Sequence, residues 1–180
     1  HAIFNSHLNY CSIVWGKLPQ YIMDKVRSLQ NKALRIIYFK NQFESASPLY
    51  LDSKILPFHN QLVKEQCIFA FRQQTGIVPP VFSNFCQKVS LIHTHQTLAI
   101  RQHELCLPQT NSINHGSNSV KTQVAKSWNQ IIPLLLEKEK DKEKESAMRN
   151  EKEFYKAREL QDFSLSTFSK EVSNILLNLF

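Results

Sequence analysis

Glycine is nearly missing from this chain of 180 residues, which holds only 3. So few glycines exclude Gly-rich phosphate loops and a turn-dense β-sandwich, both of which use backbone conformations that glycine alone adopts freely. Aspartate is almost as sparse: Asp24, Asp52, Asp141 and Asp162 are the whole set, and no two are adjacent. Polymerase chemistry needs carboxylates converging on paired divalent cations, so no catalysis of that kind is expected of this chain alone. Cys11, Cys67, Cys86 and Cys106 contain no Cys-x-x-Cys pair and sit in apolar surroundings. They read as reduced thiols packed as small hydrophobes, which suits an intracellular protein, nuclear or cytoplasmic. No apolar run nears the roughly 18 residues of a membrane span. Residues 1–16 are interrupted by Asn5, His7 and Asn9 and do not read as a signal peptide. The expectation is therefore no membrane partner, no cofactor and no small-molecule substrate. The chain begins at His1 and its first methionine is Met23, which reads as a piece cut from something longer.

What is present suits a packed helical protein. Hydrophobic residues make up 42% of the chain and include 12 phenylalanines, enough for a core. The net charge of +7 is unevenly spread. Residues 1–136 carry 13 Lys and Arg against 5 Asp and Glu, whereas residues 137–162 carry 8 against 9. The basic excess thus lies wholly in the first part, where it points to a polyanionic partner.

The spacing of apolar residues predicts a mainly α fold: a compact helical bundle with an irregular His-rich connection and a projecting charged helix or loop. Residues 1–16 read as the end of an apolar helix running into an aromatic turn. Tyr21 to Tyr38 is the clearest helix, with Ile22, Val26, Leu29, Ala33, Ile36 and Ile37 in one arc of about 100°. Ser47 and Pro48 fit an N-cap followed by proline at the first helical position. A helix over 58–74 carries apolar residues around most of its circumference and ends at Gly76. Val81 to Cys86 suits one further helical turn. Residues 87–118 hold four of the seven histidines and read as loops, with one short strand around 104–107. Helix resumes near Ser119, with Val120, Val124, Trp128 and Ile131 on one face, and Pro133 is expected to disturb or end it. Residues 137–145 alternate in charge and show no core-facing stripe, so residues 137–162 read as a solvated insertion. A final amphipathic helix spans 164–179, its apolar set being Leu165, Phe168, Val172, Ile175, Leu176 and Leu179. The organisation expected is thus 1–136, a helical domain; 137–162, the charged insertion; and 163–180, a helix packing back on the bundle.

Few residues carry chemistry. His93, His95, His103 and Cys106 are the one metal-like cluster, but zinc ligands usually come as two short pairs, and this spacing fits poorly. No metal is expected. Cys106 lacks the Gly-rich turn or oxyanion donors of a nucleophilic site. Trp15 and Trp128 lie in apolar periodic segments and read as core anchors. The best functional candidate is the basic arc of Lys25, Lys32 and Arg35, extended by Lys40. A helix packed on one face with cations beside it can lie along a phosphate backbone, although most basic stripes are simply solvated.

Several phrases, in order, resemble one family. They are His7, Leu8, Asn9 and Tyr10; Val14, Trp15 and Gly16; then Leu29 through Ile37 (LQNKALRII); Ser47, Pro48, Leu49 and Tyr50; Ile55 and Leu56; Val78 through Phe82; Ser127 through Pro133; and Thr167 through Lys170. Together they resemble the stretch after the palm in jockey-like and related LINE (non-LTR retrotransposon) reverse transcriptases. The chain departs from that pattern at His93 through Leu98, where a His-x-Tyr-x-Thr-Arg phrase is usual, and in the charged insertion. The resemblance implies a helical thumb and post-thumb tail, itself not an enzyme. Such a region would grip RNA or RNA–DNA hybrid beside the missing palm domain of an RNA-directed DNA polymerase. A relic or co-opted helical protein-interaction module is the alternative.

Overall fold

A computed structural model describes residues 2–15, 19–92, 103–109, 118–148 and 160–179. The described chain is mainly helical. Its helices are α1 (Ala2–Asn9), α2 (Ser12–Trp15), α3 (Gln20–Ile37), α4 (Ser47–Ser53), α5 (Phe58–Gln74), α6 (Val89–Ile92), α7 (Val120–Met148) and α8 (Leu165–Asn178), with single 3-10 turns at Pro80–Phe82 and Leu160–Asp162. Among the described residues there is no strand. The segment expected to pair around 104–107 forms one isolated antiparallel bridge, Leu105 with Lys88.

α5 is the central element. Phe58, Leu62, Gln66, Cys67, Ile68, Ala70, Phe71 and Gln73 are buried on it, so it is covered from several sides. α7 and α8 pack against it most extensively, and α3, α2 and α1 also lie on it. The main core is aromatic where α5, α7 and α8 meet. Phe71 stacks on Phe168 with centroids 4.2 Å apart, and Trp128 lies 6.0 Å from the same ring. Trp128 is 1% exposed, as its apolar setting predicts, and its indole N–H donates to the His103 carbonyl at 2.7 Å. Aromatics of this size bury a large apolar area each, and stacking adds roughly 1 kcal/mol per pair. The Trp15 side chain lies outside the described residues. A smaller core of Leu34, Ala46, Leu49 and Tyr50 joins α3 to α4.

Buried and half-buried side-chain amides fasten the segments of this frame together. Asn129 of α7 accepts from the Leu105 amide at 2.8 Å and donates to the Leu105 carbonyl at 2.9 Å. Gln73 Nε2 donates to the Ser83 and Cys86 carbonyls, and Asn60 Nδ2 to the Leu176 carbonyl. Ser127 and Gln66 bond at 2.5 Å between α7 and α5. Each such bond contributes about 1 kcal/mol, and losing one partner costs more because the other is left dry.

Four expectations are corrected. Pro133 does not end α7, which continues to Met148. Its ring is exposed, while Ile131, Ile132 and Leu135 beside it are buried, so packing outweighs the lost backbone bond. The charged run is not wholly solvated. Glu139 is 2% exposed and pairs with Lys142, while Lys138 and Lys142 reach Glu171 of α8 at 3.2 and 3.5 Å. Ser47 is the first residue of α4 rather than its cap; Ala46 holds the cap position, with no side-chain cap bond. Cys11 is exposed, unlike the buried Cys67 and Cys86. Burial pushes the Cys86 thiol up to about 11, despite the nearby Lys121, and raises Cys67 further. Ser164 caps α8 by accepting from the Thr167 amide at 3.2 Å.

Candidate nucleic-acid interface

The basic helix is α3. It follows Pro19, whose fixed φ suits a helix entry, and it has no side-chain cap. Its packed side differs from the arc expected from apolar spacing. Gln30 and Leu34 are the buried residues, while Leu29, Ile36 and Ile37 are 59%, 73% and 63% exposed. The cause is polar. Gln30 Nε2 donates to the Leu56 carbonyl at 3.1 Å, and its Oε1 accepts from the Phe58 amide at 2.9 Å, so this side chain turns inward and the apolar arc turns partly out.

That rotation decides where the cations point. At 100° per residue, Lys25 and Lys32 stand about 160° and 180° from the direction shared by Gln30 and Leu34. Both are exposed, and among the described residues neither forms an ion pair. They are two turns apart, about 10 Å of rise. Tyr21 lies on the same row, 63% exposed, with Lys25 Nζ 5.9 Å from its ring centroid. α3 carries four basic residues against one acidic, Asp24, which accepts from Gln20 Nε2 at 3.0 Å.

The other two expected site residues are committed elsewhere. Arg35 is half-buried, and its Nε donates to the Glu44 carbonyl at 2.8 Å. Lys40 pairs with the Glu44 carboxylate at 3.3 Å. The Asn41 amide and Lys40 together hold that carboxyl below its ordinary range. The four cations are therefore not one row: Lys25 and Lys32 face outward, and Arg35 and Lys40 brace the turn after α3. Arg27 escaped the sequence reading. It is exposed, and its charge, with that of Arg35, reaches the Tyr50 phenol. Burial nonetheless pushes that phenol up to about 12; it donates to Asn31 Oδ1 at 2.7 Å. Arg27 stands off the arc of the other cations, and charge alone marks it.

Among the described residues no three His, Cys, Asp or Glu come together as a metal-binding group, and no helix is long and apolar enough to cross a membrane. His93 and His95 lie outside the described residues. His103 contributes its carbonyl to Trp128, and Cys106 is half-buried. Compared with family models, with curated proteins and with solved structures, the chain matches none.

Proposed function

We propose that this chain is the non-catalytic thumb-and-tail part of a LINE-type reverse transcriptase. It grips RNA or RNA–DNA hybrid, without regard to sequence, through the outward row of α3. The observation that carries this reading is the pair Lys25 and Lys32: exposed, directed away from the packed side, and in no ion pair among the described residues. Such cations can neutralise phosphates and release counterions. Arg27 adds to the field, while Arg35 and Lys40 hold the turn. The ordered phrases of the sequence supply the family, and the palm of the parent polymerase is the protein partner.

The second reading is a helical protein-interaction module. It is favoured by the exposure of Leu29 and Ile36 beside the lysines, an apolar edge that a partner helix could cover. Salt titration separates the two. A Lys25→Glu, Lys32→Glu variant should keep its helicity and lose most affinity for RNA. Its log–log salt slope on single strands should flatten by roughly 1.4, at about 0.7 per phosphate. Equal binding by parent and variant, or no binding by the parent at low salt, gives the second reading.

A further inference from the structure

α3, α4 and α5 end in the same way, but with different residues. At the end of α5 the left-handed position is Gly76 at φ 73, with Gly76 N bonded to the Gln73 carbonyl and Ile77 N to that of Arg72. This is the Schellman arrangement, for which glycine is the usual residue. At the end of α3 the same pair of bonds is made by Phe39 N to the Ile36 carbonyl and Lys40 N to that of Arg35, and the left-handed residue is Phe39 at φ 52. An aromatic residue is disfavoured there, because its Cβ crowds the following carbonyl. The ring does not offset this by packing: Phe39 is 97% exposed. Four residues on, Phe43 is 86% exposed, its amide held by Asn41 Oδ1 at 3.4 Å. The turn presenting both rings is braced by Arg35 and Lys40 on Glu44. Backbone strain together with full exposure of a large ring is the combination expected where a side chain is kept for a ligand.

The position of Phe39 identifies the ligand chemistry. Tyr21 precedes Lys25 by four on α3, and Phe39 lies two residues beyond the last residue of the helix that carries Lys25 and Lys32. Exposed cations are thus bracketed by exposed flat rings along one helix and the turn beyond it. Cations that meet phosphates between rings that meet base faces are the pattern of a single-strand track. A duplex keeps its base faces stacked inside and offers such rings nothing.

We infer that Phe39 and Phe43, in the turn after α3, and Tyr21, near the start of that helix, are base-stacking platforms, and that the preferred ligand is an unpaired strand rather than a duplex. This rests on the nucleic-acid reading above.

The test compares the whole chain with a Phe39→Ala, Phe43→Ala variant on three probes of equal length: an unstructured single-stranded RNA, the same strand made abasic, and a blunt duplex. The parent should bind the normal strand more tightly than the other two. The variant should lose about fivefold or more on the normal strand, the lower bound for one stacked base, with an unchanged salt slope. It should bind the abasic strand and the duplex as the parent does. Circular dichroism should match, since both rings are exposed. A parent indifferent to the bases, or a variant that binds the normal strand as tightly as the parent, overturns the platform while leaving the lysine grip standing. A parent that binds none of the probes at low salt overturns the grip and the platform together.

Discussion

Gln30 caps a helix to which it does not belong. Its Oε1 accepts from the amide of Phe58, the first residue of α5, while its Nε2 donates to the Leu56 carbonyl. The residue at the cap position, Pro57, supplies no side-chain bond of its own. A helix start leaves several amides without internal partners, and here α3 satisfies one of them across the interface. Gln30→Leu keeps the volume and removes both bonds between α3 and the start of α5. The variant should unfold with a loss of about 2 kcal/mol in urea titration. Parental stability in that variant would show that the clamp contributes nothing.

The same residue shows why the site was only partly legible. The helix over 58–74, the restart near Ser119 and the capped helix after Ser164 could be read from apolar spacing and cap chemistry, because those signals are local. The basic stripe of Lys25 and Lys32 was legible for the same reason. Its direction was not, since it is set by Gln30, a polar residue whose partners lie 26 and 28 residues away. The pinning of the charged run was hidden likewise: Lys138 meets Glu171 across 33 residues of sequence. The exposure of Phe39 left no mark in a sequence pattern that treats every phenylalanine as core.

Phe39 should be replaceable with a gain in stability. At φ 52 a glycine has no Cβ to crowd the carbonyl, and the exposed ring loses no packing when removed. Phe39→Gly should therefore raise the unfolding free energy by about 1 kcal/mol. Gly76→Ala, at φ 73 with nothing within 4 Å of the added Cβ, should lower it by about the same amount through backbone strain alone. A destabilised Phe39→Gly protein would mean that the ring packs in solution.

The charged run should be visible in the acid limb of stability. Burial pushes the Glu171 carboxyl up, but Lys138 and Lys142 more than reverse this and leave it below its ordinary 4.5. A carboxyl depressed in the folded state stabilises fully above its unfolded value and loses that contribution as pH falls through the folded one. Wild type should therefore exceed Glu171→Gln in melting temperature at neutral pH, and the difference should shrink once pH drops below about 4.5. A difference that stays constant into acid would show that the ion pairs at Glu171 do not hold α7 against α8. Deleting 138–162 should cost more than a surface change, since it also removes Leu160, 9% exposed in the main core.

Arg35 and Lys32 should separate stability from binding. Both are cations of α3, three residues apart, and charge alone would treat them alike. Arg35 is half-buried and donates to the Glu44 carbonyl at 2.8 Å, so it ties the turn carrying Phe39 and Phe43 to the helix. Lys32 is exposed and has no ion pair among the described residues. Arg35→Ala should lower stability by about 1 kcal/mol, the value of one hydrogen bond, and leave the salt slope on single-stranded RNA close to that of the parent. Lys32→Ala should do the reverse. Its stability should stay within about 0.5 kcal/mol, as for a surface change, and its slope should fall by roughly 0.7 for one lost phosphate contact. Denaturant titration and binding at two salt concentrations on the same two proteins decide the matter. Slopes reduced equally in both variants would return Arg35 to the phosphate track and take away its bracing role.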